Sequence, residues 1–117
     1  MPQQPLISII TPSFNQAKFL RRTIESVLSQ DYSDLEYIIM DGGSTDGSQA
    51  IIEEYGDRLA HWESIPDKGQ TDAINKGFGR ATGKYLAWLN SDDVYLPGAI
   101  TEAVSYLEAN PEVGMVY

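Results

Sequence analysis

The chain has 117 residues, of which 42% are hydrophobic and 21% charged, a composition typical of one folded domain and not of a disordered segment. It contains no cysteine, which excludes disulfides, zinc–thiolate sites and thiol nucleophiles. The formal net charge of −9 argues against binding to nucleic-acid phosphates or to anionic membranes. No stretch is apolar for long enough to span a bilayer, and we expect a cytoplasmic protein, with membrane association of a longer chain left open.

The first half of the chain is typical of two strand–helix units. Residues 6–10 form an apolar, β-rich run that ends at Thr11-Pro12, and the helix after it has one apolar face and Asn15 as its cap. Residues 35–40 predict a second strand, which brings Asp41 to its end. A glycine-rich turn at 42–47 and a short helix follow.

The second half repeats the alternation. A weaker strand is predicted at 59–65, with an exit loop at 66–69 and a helix from about 71 to 80. Residues 86–89 have the continuous apolar character of a buried parallel strand, with Trp88 in the core, and they lead into Asp92 and Asp93. Pro97 suits the first turn of a fourth helix, and residues 113–117 predict a fifth strand.

Alternating strands and helices with short connections predict an α/β fold: a Rossmann-like, mostly parallel sheet with helices on both faces. We expect the first strand to be central and beside the fourth. This order places Thr11 and Asp93 across one crevice, with Asp41 nearby. Because residues 113–117 form a bare apolar edge, we expect a piece of a longer protein, and we expect this strand to support a homodimer.

Three carboxylates, those of Asp41, Asp92 and Asp93, follow predicted strands, and ligands of open α/β sheets bind at that edge. Consecutive extended residues face opposite sides, so one carboxylate of the adjacent pair would bind a metal ion and its neighbour a hydroxyl donor. A bound Mg²⁺ or Mn²⁺ would make so acidic a rim attractive to a diphosphate. The alternative is that these acids only form turns and helix caps, which is the role we expect for Asp46.

Several short motifs occur together in one order along nearly the whole chain. They are Ile9-Ile10-Thr11-Pro12-Ser13-Phe14-Asn15, Ser26-Val27-Leu28-Ser29-Gln30, Asp41-Gly42-Gly43-Ser44-Thr45-Asp46-Gly47, the run 67–77 from Asp67-Lys68-Gly69 to Asn75-Lys76-Gly77, Ala81-Thr82-Gly83 and Leu89-Asn90-Ser91-Asp92-Asp93. Each is weak alone, but the ordered set resembles the nucleotide-sugar-binding half of the family 2 glycosyltransferases, which have the GT-A fold.

The resemblance implies a role for each matching residue. The implied nucleotide-binding residues are Thr11, Pro12, Asp41, Lys68 and Asp92, and the implied metal ligand is Asp93. Thr11 and Pro12 would lie against the base and Asp41 would bind it, typically as uracil. Asn90 stands where many members carry an acid, which lowers the negative charge of the site. Lys68 could approach phosphate, although a solvated lysine is the alternative.

The implied activity is metal-assisted transfer of a hexose from a nucleotide-diphosphate sugar, with UDP expected, to a hydroxyl of a saccharide or lipid-linked saccharide, with inversion. The general base that this reaction needs is supplied in the family by a later, acceptor-binding half. Residues 1–117 would therefore bind the donor and metal but be inactive alone.

Three other functions are compatible with an acidic α/β domain of this size. A receiver-like signalling domain would need acids after the first strand, where this chain has Thr11-Pro12. A nucleotidyltransferase would need a glycine-rich, basic phosphate loop there, and Ser13-Phe14-Asn15-Gln16 offers none. A fragment that only binds nucleotide sugars is the remaining alternative.

Overall fold

The computed structural model describes residues 4–113, which contain a four-stranded parallel sheet with strand order β3-β2-β1-β4. The elements are β1 (Ile7–Ser13), α1 (Ala17–Leu28), β2 (Leu35–Asp41), α2 (Ser48–Glu54), a 3₁₀ turn (Gly56–Arg58), β3 (His61–Ser64), α3 (Gln70–Arg80), β4 (Tyr85–Trp88) and α4 (Ala99–Ala109). The Rossmann-like architecture and the central position of β1 beside β4 are confirmed. The predicted fifth strand, 113–117, lies outside the described residues except at its first residue.

The core is divided by the sheet into a large and a small half. The large half joins the sheet to α1, α2 and α4, with Ile9, Leu20 and Ile24 fully buried at its centre. The small half joins it to α3 alone, through Ile10, Ile38, Met40 and Ala73. Helices on both faces are therefore confirmed, but their cover is unequal.

The unequal cover explains why β4 is not the buried strand that its sequence predicts. Leu86 and Trp88 are 51% and 50% exposed, and Trp88 touches only the edge of Phe78 among aromatic rings of the described chain. They lie on the α3 side of the sheet, and α3 packs over β1 and β2 rather than over β4. The expected core position of Trp88 is wrong, because within residues 4–113 β4 is an edge strand with one side uncovered.

Strand β1 is longer than predicted and includes Pro12. It pairs with β2 through Ser13↔Asp41, but its pairing with β4 ends at Ile10↔Trp88. The carbonyl of Ile10 accepts from Leu89 N–H, and main-chain groups of alternate strand residues face the same neighbour, so position 12 also faces β4. Proline has no N–H with which to continue that ladder. The paths of β1 and β4 therefore separate at Pro12.

Two helix starts differ from the prediction. Asn15 has φ 51° and does not cap α1, and the helix N–H of Ala17 instead donates to Oδ2 of Asp46 at 2.9 Å. Pro97 lies in a turn two residues before α4 rather than in its first turn, because Gly98 at φ 79° makes the entry into the helix. Among residues 4–113, no helix is long and apolar enough to cross a membrane.

Candidate functional site

A cleft of about 400 Å³ opens at the carboxyl ends of the strands, where the sheet order reverses between β1 and β4. This is the position at which open α/β sheets bind ligands, and the volume is that of a small-molecule site. The separation of the strands at Pro12 forms its floor. Its walls are formed by Pro12, Ser13, Phe14, Gln16, Gly42, Asp67, Gly69, Gln70, Asn90, Ser91 and Asp92.

The structure brings only part of the predicted set of site residues to this cleft. Pro12 and Asp92 line it, whereas Thr11, Asp41, Lys68 and Asp93 are not among its lining residues. Lys68 and Asp93 are exposed beside lining residues, so each stands at the rim.

Thr11 and Asp41 are buried in the sheet instead. The hydroxyl of Thr11 is fully buried and lies 2.7 Å from that of Tyr37, whose pKa burial raises. Asp41 is 2% exposed. Its carboxylate accepts hydrogen bonds from the N–H groups of Gly43 and Ser44 and from the hydroxyls of Ser44 and Ser64 at 2.6 to 3.1 Å. The oxygens of Asp41 are thus occupied by the loop that follows it.

This loop, residues 42–47, is also fastened to the segment after β1. The amide N–H of Asn15 donates to the Ser44 hydroxyl at 2.8 Å, and Oδ1 of Asn15 accepts from Thr45 N–H at 2.9 Å. Asp46 joins the starts of two helices, since it accepts from Ser48 and from Ala17. The pKa of Asp46 is lowered, first by the hydrogen bond from the Ser48 hydroxyl and further by those from the N–H groups of Ala17 and Ser48. Desolvation acts in the opposite direction and raises this pKa. The expected capping role of Asp46 is observed, at both helices.

The loop after β4, residues 89–98, is organised differently. The side chains of Asp92 and Asp93 are exposed, and no described residue donates a hydrogen bond to either carboxylate. The main chain is held instead, by Asp93 N–H to the Asn90 carbonyl at 3.0 Å and by bonds from α1. The Gln70 amide reaches across the cleft to Oδ1 of Asn90 at 2.5 Å. The two carboxylates are left for a ligand.

Two of the lining residues to which the sequence gives no role, Phe14 and Asp67, have side chains suited to binding a ligand. Phe14 is 59% exposed although it is aromatic. Asp67 follows β3 and lies over Gly42: a Cβ at position 42 would be 2.9 Å from both carboxylate oxygens of Asp67. The N–H of Gly69 donates to Oδ1 of Asp67 at 2.9 Å and so fixes its direction. The rule that singled out Asp41, an acid just after a strand, could have found Asp67.

The acids of the β4 loop fit a hard divalent cation. The available donors are carboxylate and amide oxygens, and Mg²⁺ is usually held by one or two carboxylates together with substrate phosphates. Within residues 4–113, no three Asp, Glu, His or Cys side chains are grouped so as to hold a metal ion. An ion at Asp92 and Asp93 would therefore share its coordination with a ligand.

Known proteins are similar to this chain in sequence and in fold. An uncharacterised glycosyltransferase of Rickettsia prowazekii is 38% identical over 103 residues, which are 88% of this chain and 32% of the relative. One from Mycobacterium tuberculosis is 37% identical over 119 residues, covering 100% of this chain and 45% of the relative. The chain thus spans less than half the length of these relatives.

Solved structures with the same fold include two glycosyltransferases with bound nucleotide sugars. The mannosyltransferase PcManGT from Pyrobaculum calidifontis, in complex with GDP-Man and Mn²⁺, has a TM-score of 0.86 at 26% identity over 96% of this chain and 34% of its own. S. aureus TarS, in complex with UDP-GlcNAc, has a TM-score of 0.82 at 22% identity over 91% of this chain and 32% of its own.

These neighbours are GT-A glycosyltransferases, so the expected GT-A type of sheet is confirmed. Residues 8–117 match the model of the family described as Glycosyl transferase family 2. The match covers almost the whole chain and agrees with the relatives in sequence and in structure. The chain belongs to glycosyl transferase family 2.

Proposed function

We propose that residues 1–117 form the donor-binding part of an inverting glycosyltransferase that uses a nucleotide-diphosphate sugar, with a UDP-sugar as the expected donor and Mg²⁺ or Mn²⁺ as the cofactor. The observation that carries the proposal is the cleft itself. It has Asp92 in its wall, the exposed Asp93 beside it, and no lysine or arginine among its lining residues. A cation bound at such an acidic site would make it favourable for a diphosphate.

We assign the nucleobase to the end of the cleft formed by Phe14, Pro12 and Asp67. An exposed aromatic ring provides a face for stacking a base, which is worth about 1–3 kcal/mol in nucleic-acid complexes. The carboxylate of Asp67 can accept a base N–H, a contact that uracil and guanine both offer. Asp41 then acts by holding Gly42 and its loop below the base, because its own oxygens are already used.

We assign the diphosphate to the opposite end, where the β4 loop carries its two free carboxylates. Asp92 lines the cleft and faces the ribose or the ion, and Asp93 at the rim is the metal ligand. A divalent ion bound there would neutralise the departing diphosphate. Lys68, exposed at the opposite rim, is the candidate for a direct phosphate contact. The complex of PcManGT with GDP-Man and Mn²⁺ supports a nucleotide-sugar donor that binds together with a divalent ion.

We place the general base and the acceptor site outside this chain. The relatives are more than twice as long, so there is room in them for an acceptor-binding part. On this assignment the 117-residue chain binds a donor but does not transfer the sugar, and the acceptor, a saccharide or lipid-linked saccharide, binds elsewhere.

Calorimetric titration of the chain with UDP, with and without Mn²⁺, tests the proposal. We expect binding that depends on the metal and is lost in Asp93→Ala. Asp57→Ala removes an exposed acid near the amino end of β3, on the far side of the sheet, and serves as the matched control. Equal binding in the absence of Mn²⁺ would remove Asp93 from its role, and parallel titrations with GDP and dTDP would identify the preferred base.

A further inference from the structure

Helix α1 carries a second, polar face that the donor site does not yet explain. Its residues are Thr23, Ser26 and Gln30, spaced by three and four positions, and Gln30 lies just beyond the helix end. This spacing places them in one row along the helix. Two of them belong to the motif Ser26-Val27-Leu28-Ser29-Gln30, which marked the family resemblance but received no role.

All three side chains bind the main chain of the β4 loop. Thr23 is fully buried, and its hydroxyl lies 3.0 Å from the carbonyl of Ser91 and 2.6 Å from that of Asp93. The Ser26 hydroxyl donates to the Thr23 carbonyl at 2.7 Å and accepts from Tyr95 N–H at 3.1 Å. Each hydroxyl therefore bridges helix and loop.

Gln30 holds the end of the same loop. Its amide nitrogen donates to the carbonyls of Leu96 at 2.9 Å and Ser26 at 3.0 Å, and its amide oxygen accepts from Ile100 N–H at 3.2 Å. The loop between β4 and α4 is thus attached to α1 at its start, middle and end.

The placement of these contacts determines their effect. The two carbonyls within reach of the Thr23 hydroxyl are those of Ser91 and Asp93, the residues on either side of Asp92. The bonds end on main-chain atoms, so they fix the backbone at this pair and leave both carboxylates unoccupied and exposed. A row of side-chain bonds from a packed helix replaces the regular secondary structure that this loop lacks.

We infer that Thr23, Ser26 and Gln30 are positioning residues, which hold the Asp92–Asp93 backbone in the geometry that binds the metal–diphosphate end of the donor. This inference rests on the proposed function. It extends that function to a row of side chains that need not touch the donor or the ion. Removing the Thr23 hydroxyl should weaken metal-dependent binding in a protein that is still folded. Both acids keep their side chains, but the backbone that carries them is held less firmly.

The test compares Thr23→Val, which removes the hydroxyl at nearly constant shape, with Thr23→Ser, which restores it. Mn²⁺ binding in the presence of UDP is followed by electron paramagnetic resonance of the free ion. Hydrogen exchange of residues 89–98 is measured without any ligand. We expect about tenfold weaker Mn²⁺ binding in Thr23→Val, as for the loss of one hydrogen bond to a buried acceptor, and near wild-type binding in Thr23→Ser.

Two further variants keep the result decisive. Ser26→Ala removes the contact to Tyr95 N–H, the one bond of this hydroxyl to the loop, together with its bond to the Thr23 carbonyl within α1. It should give a smaller loss of the same kind, even if Thr23→Val folds poorly. Ile52→Val removes one methyl group from the core beneath α2 and should lower stability without changing Mn²⁺ binding or loop exchange.

The failures of the two proposals are distinguishable. Wild-type binding of UDP and Mn²⁺ together with unchanged binding in Thr23→Val would overturn the positioning role and leave the donor site standing. Equal weakening in Ile52→Val would overturn it too, since stability alone would then explain the loss. If the wild type binds no nucleotide, both proposals fall. Faster hydrogen exchange of residues 89–98 in Thr23→Val would then show that Thr23, Ser26 and Gln30 only stabilise the loop.

Discussion

The β2–α2 loop (residues 42–47) follows an acid at the end of β2, and the β4–α4 loop (residues 89–98) contains two acids of its own, but the two loops use these acids in opposite ways. In the first, Asp41 is 2% exposed and its oxygens accept hydrogen bonds from its own loop and from Ser64. In the second, Asp92 and Asp93 are exposed, and the loop is fixed through main-chain atoms. An acid whose carboxylate accepts hydrogen bonds from the protein supports the site, whereas an acid that is held only through its main chain keeps its carboxylate available to a ligand.

The largest expected effect is on stability and separates the two loops directly. Asp41→Ala should lower the free energy of unfolding by about 3 kcal/mol, because it leaves four part-buried donor groups without their acceptor. Asp92→Ala, the matched change in the other loop, should alter it by less than about 0.5 kcal/mol. Urea denaturation measures both, and equal losses would end the distinction between the loops.

A smaller loss is expected where the first loop is fastened to the segment after β1. Ser44→Ala removes a donor to Asp41 and an acceptor for Asn15 N–H, and should cost about 1 kcal/mol in urea denaturation. Ser33→Ala, which removes an exposed hydroxyl bound only to the Gln4 side chain among described residues, is the control and should be nearly neutral.

Gly42 links the first loop to the base end of the cleft. Gly42→Ala places a methyl group against the carboxylate of Asp67, which can move because it is the end of a side chain. We expect UDP affinity to fall about threefold with little loss of stability, as for a partly weakened hydrogen bond. Asp67→Ala should give at least the same loss by calorimetry, and an unchanged affinity in both would remove Asp67 from base binding.

The smallest effect is a pH dependence at Asp46. Its folded-state pKa is lowered, so its contribution to stability is complete above the unfolded value of about 3.9 and is lost as pH falls through the folded-state pKa. The stability difference between wild type and Asp46→Asn should therefore shrink on acidification from about pH 6 to about pH 2.5. A difference that grows over this range would contradict the assigned hydrogen bonds.

The fold was largely predictable because strand and helix periods are local properties of the sequence. The central position of β1 beside β4 followed from the alternation of strands and helices and from the rules for parallel sheets. Exposure of Trp88 was not predictable, since an apolar strand has the same sequence whether or not another element covers it. The predicted cap of α1 was wrong for a related reason, since the N–H of Ala17 donates to Asp46, which is 29 residues away in sequence.

The site was predictable in position but not in detail. Acids after strands point to the edge of the sheet where the cleft opens, and Pro12 and Asp92 line that cleft, while their roles in binding stay predictions. Sequence cannot tell whether an acid such as Asp41 turns back to its own loop or faces a ligand, because the donors that decide this come from residues up to 23 positions away. The position of Asp67 over Gly42 could not be predicted for the same reason, because it is a tertiary contact.

Pro12 has a consequence for the cost of binding. Because the proline ring interrupts the ladder between β1 and β4, the opening between these strands is built into the backbone itself. A ligand then binds between chain segments that are already separated, and little of its binding free energy is spent on rearranging the backbone. One imino acid at the centre of the sheet thus gives this chain a preorganised receptacle.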